Sequence, residues 1–166
     1  MCADSYSWTT KTGYPARVLP FMVSIMRTVT VFLLLLLVAC AEPVPDTLPG
    51  RWYTAAQVAA GAPLYQVYCA QCHADDGSAT ADWRTLDENG DYPPPPLNGT
   101  AHTWHHPLEV LTDTIANGGA EFGGVMPGFG AVLDEADRLA VVAWIQSLWS
   151  DEIYRRWEEI DTRSRQ

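Results

Sequence analysis

Cys69-Ala70-Gln71-Cys72-His73 decides how this chain is read. Two thiols three residues apart fall on one helical turn, and an imidazole follows at once. This is the C-x-x-C-H spacing of covalent haem c attachment. Each thiol can form a thioether to one haem vinyl group, and His73 then lies under the iron as proximal ligand. A bare C-x-x-C has rivals. A thioredoxin-like redox pair belongs beside a βαβ pattern, and none is evident. A structural zinc site needs a second ligand pair. By count alone, His102, His105 and His106 could supply one.

The flanks of the pentapeptide read as helix. Residues 54–68 are Ala-rich, with Val58, Leu64 or Tyr65, and Tyr68 at near-helical spacing. Pro63 predicts a split or kink, with the firm helix starting there and Pro in its first turn. Further on, Asp134 is a candidate N-cap followed by acids in the first turn. From Arg138 to Trp149 apolar residues cover much of the helical circumference, which predicts a largely buried helix. A shorter helix is expected from Pro107 to Asn117, closed by Gly118-Gly119. Residues 74–95 carry few apolar groups and run into the four prolines 93–96, so a surface loop is expected there. Ser150 caps a last expected helix, whose Ile153, Trp157 and Ile160 form a narrow apolar seam for packing on the domain. The fold class is therefore all-α.

The first forty residues read as an address. Val29 to Ala39 is apolar except for Thr30, and it is too short for the ~20 residues of a membrane span. It has the length of a signal-peptide core, with Arg27 ahead of it. Met26-Arg27 makes a compact start, so residues 1–25 are expected to be an upstream extension. Leu37-Val38-Ala39-Cys40 is similar to a bacterial lipobox, in which the Cys is acylated and becomes the first mature residue. A plain secretory signal with an incidental Cys is the alternative. Pro43, Pro45 and Pro49 then suggest a short tether. The expected organisation is a leader over 1–39, a lipidated Cys40 and tether over 40–52, a haem domain over 53–150, and a helical extension over 151–166.

Charge narrows the partners. Acids outnumber basic residues by 20 to 10, which argues against nucleic acid, because neutralising phosphates needs a basic surface. From Cys40 onward 127 residues remain, with seven arginines, no lysine and 19 acids, a formal charge of −12. Such a surface suits a protein partner with a basic docking face.

Together these residues resemble the class I monohaem cytochromes c, over roughly residues 55–150. The resemblance implies an N-terminal and a C-terminal helix crossing beside the haem. Gly61 and Tyr65 stand at the crossing, with Val141 and Trp144 as their partners on the other helix. Pro95-Pro96-Leu97-Asn98-Gly99 looks like the family's Pro-x-Leu-x-Gly turn, whose Pro carbonyl accepts the proximal His Nδ1–H. That role is assigned to Pro96. Gly123-Gly124-Val125-Met126-Pro127-Gly128-Phe129 resembles the Met-Pro-x-Phe distal loop, which makes Met126 the second iron ligand; it is also the only methionine after Cys40. Core filling by Met126, or a histidine from 102, 105 or 106 as distal ligand, stays open.

His102-Thr103-Trp104-His105-His106 is unusual. It serves turn formation and haem-edge packing through Trp104, or a second copper or zinc site. Trp83 and Arg84, with Trp104, are candidates for contact with the haem propionates.

The resemblance implies one covalent haem c carrying single electrons between redox proteins. The lipobox-like stretch ending at Cys40 implies a lipid anchor on the periplasmic side of a bacterial membrane, with Ala41 leaning to the outer one. The alternatives are a haem that binds peroxide or small gases after Met126 leaves, and copper-linked redox at the histidine cluster.

Overall fold

The computed structural model describes residues 46–166, all within one compact unit. Cys40 and the expected leader lie outside the described residues. Five helices organise the unit: α1 (Ala55–Tyr68), α2 (Ala70–His73), α3 (Leu108–Asn117), α4 (Glu135–Ser147) and α5 (Asp151–Ser164). Two 3₁₀ turns, Thr103–His105 and Ala120–Phe122, flank α3. Among the described residues there is no strand, only an isolated bridge between Thr47 and Thr54. No helix there is long and apolar enough to cross a membrane.

Helix α1 begins earlier than Pro63 suggests. Thr54 caps it: the hydroxyl accepts from Gln57 N at 3.1 Å, and the Gln57 side chain accepts from Thr54 N at 2.9 Å. This reciprocal pair satisfies two end donors and nucleates the helix ahead of the proline. Pro63 then lies inside an unbroken helix. It cannot donate to the Ala59 carbonyl one turn back. Both residues are on the exposed side, where water can take up the loss.

The crossing of α1 with α4 forms the centre. Asp134 caps α4 through a second reciprocal pair, with Asp137. Gly61 faces the α4 backbone so closely that a Cβ would lie 1.9 Å from the Ala140 carbonyl oxygen. Tyr65 stacks on Trp144 with ring centres 4.0 Å apart, and Val141 is fully buried beside them. Each such buried side chain contributes about 1.5–3 kcal/mol.

The final helix belongs to the same core. Tyr154 and Trp157 are each 1% exposed, and their rings continue toward Tyr53 and Trp149. The end of the expected tether is also folded against the domain. Leu48 N donates to Tyr53 O at 2.9 Å, Trp52 N to the Tyr154 hydroxyl at 3.0 Å, and the Trp52 indole to Gln146 Oε1 at 2.7 Å. Packing therefore starts ahead of residue 53. Residues 78–100 have no helix or strand, as the Pro-rich composition suggests.

Candidate haem site

The C-x-x-C-H segment is a tight turn hung on the end of α1. Cys69 N donates to Tyr65 O at 2.8 Å, and the amides of Cys72 and His73 both return to Cys69 O, at 3.1 and 2.9 Å. Cys69 is buried, Cys72 is exposed, and both thiols are free. Burial, and secondarily Cys72, pushes the Cys69 thiol up to about 11. Ala74 ends the turn with φ +61, an unfavourable conformation for a residue with a Cβ. The Tyr65 hydroxyl holds it there by donating to Ala74 O at 2.9 Å. One tyrosine thus joins the helix crossing to the end of the motif.

His73 is 7% exposed, and its Nδ1 lies 2.9 Å from a proline carbonyl. A carbonyl can only accept, so Nδ1 carries the proton and Nε2 keeps its lone pair. Burial lowers the His73 pKa, and the carbonyl bond raises it only in part, which keeps the ring neutral. A neutral imidazole with a fixed tautomer is what an iron ligand needs.

The acceptor is Pro95, a correction to the assignment of Pro96. In the Pro-x-Leu-x-Gly frame the proline two places before Leu97 is Pro95. Consecutive carbonyls of an extended chain point in different directions. Pro96 O instead accepts from the Thr103 hydroxyl at 3.2 Å. Leu97 O accepts from the Trp149 indole at 2.7 Å, and Leu97 N donates to Gly77 O at 2.7 Å. Three successive carbonyls are thus held by three separate elements. Thr103, Trp149 and Gly77 carry no motif of their own, and sequence reasoning passes over them.

Met126 lies half-buried against the core in a loop crowded by glycines. Gly119 N donates to Met126 O at 2.9 Å. Gly118 has φ +85, and a Cβ on it would meet Met126 O at 2.5 Å. Only glycine satisfies both demands.

The histidine cluster is packed ring against ring. His102 stacks on Trp83 with centres 4.7 Å apart, and His106 meets the His102 edge at 5.4 Å. His105 turns instead onto Trp104, at 3.9 Å. Burial first, then neighbouring histidines, lowers the pKa of His102 and His106. Arg84 lies over the other partner of the stack, 4.3 Å from the Trp83 ring centre. Among the described residues, no three His, Cys, Asp or Glu side chains converge as a metal site. Trp104 is half-buried against the core, and its segment is tied to the proximal loop through Thr103.

The donor set fits haem c: two free thiols on one turn, a neutral imidazole with Nε2 available, and a thioether in a close-packed loop. The family described as cytochrome c oxidase, cbb3-type, subunit III matches residues 56–145, which run from α1 through the crossing into α4. The chain belongs to this cytochrome c family. No curated protein and no solved structure matches it. The cytochrome c domain is of class I type, all-α, and takes covalent haem c. When bound, the haem supplies an iron that gains and loses one electron. The chain's own part is to bury His73, fix its tautomer and hold the Met126 loop against the core. The domain is an electron-transfer module that works with redox partner proteins.

Proposed function

We propose that this cytochrome carries single electrons through an iron ligated by His73 and Met126, on the periplasmic side of a bacterial membrane to which Cys40 anchors it by lipid. The observation that carries this reading is the His73–Pro95 contact at 2.9 Å, which leaves Nε2 as the ligating nitrogen. Met126 in its glycine-lined loop supports the second ligand. With His73 and Met126 both holding the iron, substrate would have no open place on the metal, so transfer and not catalysis is the role. Trp104 borders the ring on this reading, because its neighbour Thr103 is bonded to the Pro96 carbonyl of the proximal loop.

Met126→Ala tests the ligation. A thioether favours the ferrous state. The variant is therefore expected to lose the long-wavelength absorption of a thioether–ferric bond. Its potential should fall by a sizeable fraction of the roughly 0.8 V that axial ligands command. An unchanged spectrum and potential overturn the assignment.

The mature charge of −12 supports docking on a basic partner face, with association slowing as salt screens the charge. Stopped-flow rates with the native partner that stay flat from low to high salt contradict it. The lipobox-like Leu37-Val38-Ala39-Cys40 supports the anchor. Cys40→Ser is expected to release the cytochrome into the soluble fraction; continued sedimentation with membranes refutes the anchor.

A further inference from the structure

Helix α3 begins without a cap of its own. Pro107 stands at its N-cap position and offers no side-chain hydrogen bond. The missing acceptor comes from α5, far along the chain. Asp161 Oδ1 accepts from Leu108 N at 2.8 Å. Asp161 is only 4% exposed, and its other oxygen lies 2.7 Å from Arg165. One turn earlier on the same face of α5, the Trp157 indole donates to His106 O at 3.0 Å. Two residues four apart thus grip the chain on both sides of Pro107. A carboxylate at a helix start also meets the positive end of the helix dipole.

The other end of α3 holds the Met126 loop. Phe129 N donates to Ile115 O at 2.8 Å, Gly130 N to Ala116 O at 2.9 Å, and Gly119 N to Met126 O at 2.9 Å. Between the two ends, Ile115 is buried in the core, with Leu108 and Leu111 packed against it. Helix α3 is therefore a strut with α5 at one end and the Met126 loop at the other. The segment that matches the family ends at residue 145, before α5 begins.

We infer that Asp161 is a positioning residue for the Met126 loop, acting through α3, and that α5 is the clamp that sets how readily this loop opens. The consequence for the iron rests on the His73/Met126 reading; the mechanical coupling does not.

The test uses the full haem-loaded chain and three variants: Asp161→Ala, Asp161→Asn, and Glu152→Ala on the same helix as control. Glu152 pairs with Arg156 on the surface, and such pairs contribute little. Hydrogen exchange is read at Gly119, Phe129 and Gly130, and at Tyr65 and Val141 in the crossing. Asp161→Ala is expected to speed exchange at the first three about tenfold, equal to about 1.4 kcal/mol. The crossing amides and the control stay unchanged. Asp161→Asn keeps an acceptor without the charge, so it falls between; it also carries the test if the alanine variant does not fold. Faster exchange confined to Leu108 and its neighbours, or equal acceleration at every site, overturns the clamp. In parallel, imidazole is titrated into the ferric protein, where it binds as Met126 leaves. Its affinity is expected to rise about tenfold in Asp161→Ala. If affinity does not change while Gly119 exchange does, the clamp stands and the Met126 ligand reading fails.

Discussion

With Cys69 and Cys72 both replaced by serine, the cytochrome is expected to retain no haem after denaturation. A haem-stained denaturing gel reads this directly: the wild-type band stains and the variant band is blank. Among the described residues Cys69 and Cys72 are the only cysteines, and so the only thiols for thioether attachment. Helix content should also fall. Cys69 lies within the core cluster, and a domain of this size is marginal without what the haem buries. The serine hydroxyl at position 69 adds an unpaired polar group there, at about 1–3 kcal/mol. A stained band from the double variant would show that attachment uses other atoms, and the reading of the pentapeptide would fall with it.

The second large effect is expected from Gly61→Ala. Alanine is the better helix former, by up to ~1 kcal/mol, so on propensity alone the change stabilises. The crossing reverses the sign. The new Cβ would sit 1.9 Å from the Ala140 carbonyl oxygen and 2.5 Å from its carbon. Both are backbone atoms and cannot rotate away. The helices must part, which unstacks Tyr65 from Trp144 and loosens the Tyr65 hydroxyl from Ala74 O. Overpacking costs ~1–3 kcal/mol and occasionally more; rigid backbone contact puts this case at about 3 kcal/mol or above. Urea unfolding should show a lower midpoint at unchanged slope. A midpoint equal to wild type would mean that the axes are free to separate.

Much of the site was legible because it rests on local spacing. The thiols and His73 lie within one turn, so their order along the chain is their order in space. The caps Asp134 and Ser150 were readable for the same reason, as each bonds an amide three residues on. The α1–α4 crossing came from the resemblance, and the close approach at Gly61 bears out its packing logic. Pro63 misled because the proline rule concerns one lost hydrogen bond. It does not weigh the Thr54–Gln57 pair that starts the helix upstream.

What local pattern leaves undecided is long-range. Pro95 and Pro96 look alike in sequence, whereas only the Pro95 carbonyl faces His73. His102, His105 and His106 are close neighbours in sequence, and His106 also meets the His102 edge in space. In space His105 packs on Trp104, while His102 stacks on Trp83.

The sequence by itself determined the chemistry on offer: a thiol pair followed at once by an imidazole, the Asp134 and Ser150 caps, and the net charge. These follow from residue type and from contacts within a few positions. The tertiary structure alone decided which carbonyl orients His73, how closely Gly61 lets the helices touch, and that an aspartate of the last helix caps the strut leading to Met126. Those depend on groups brought together from 22 to 79 positions apart, as for His73 with Pro95 and Gly61 with Ala140. No local pattern encodes such meetings, because the packing of the whole core selects them.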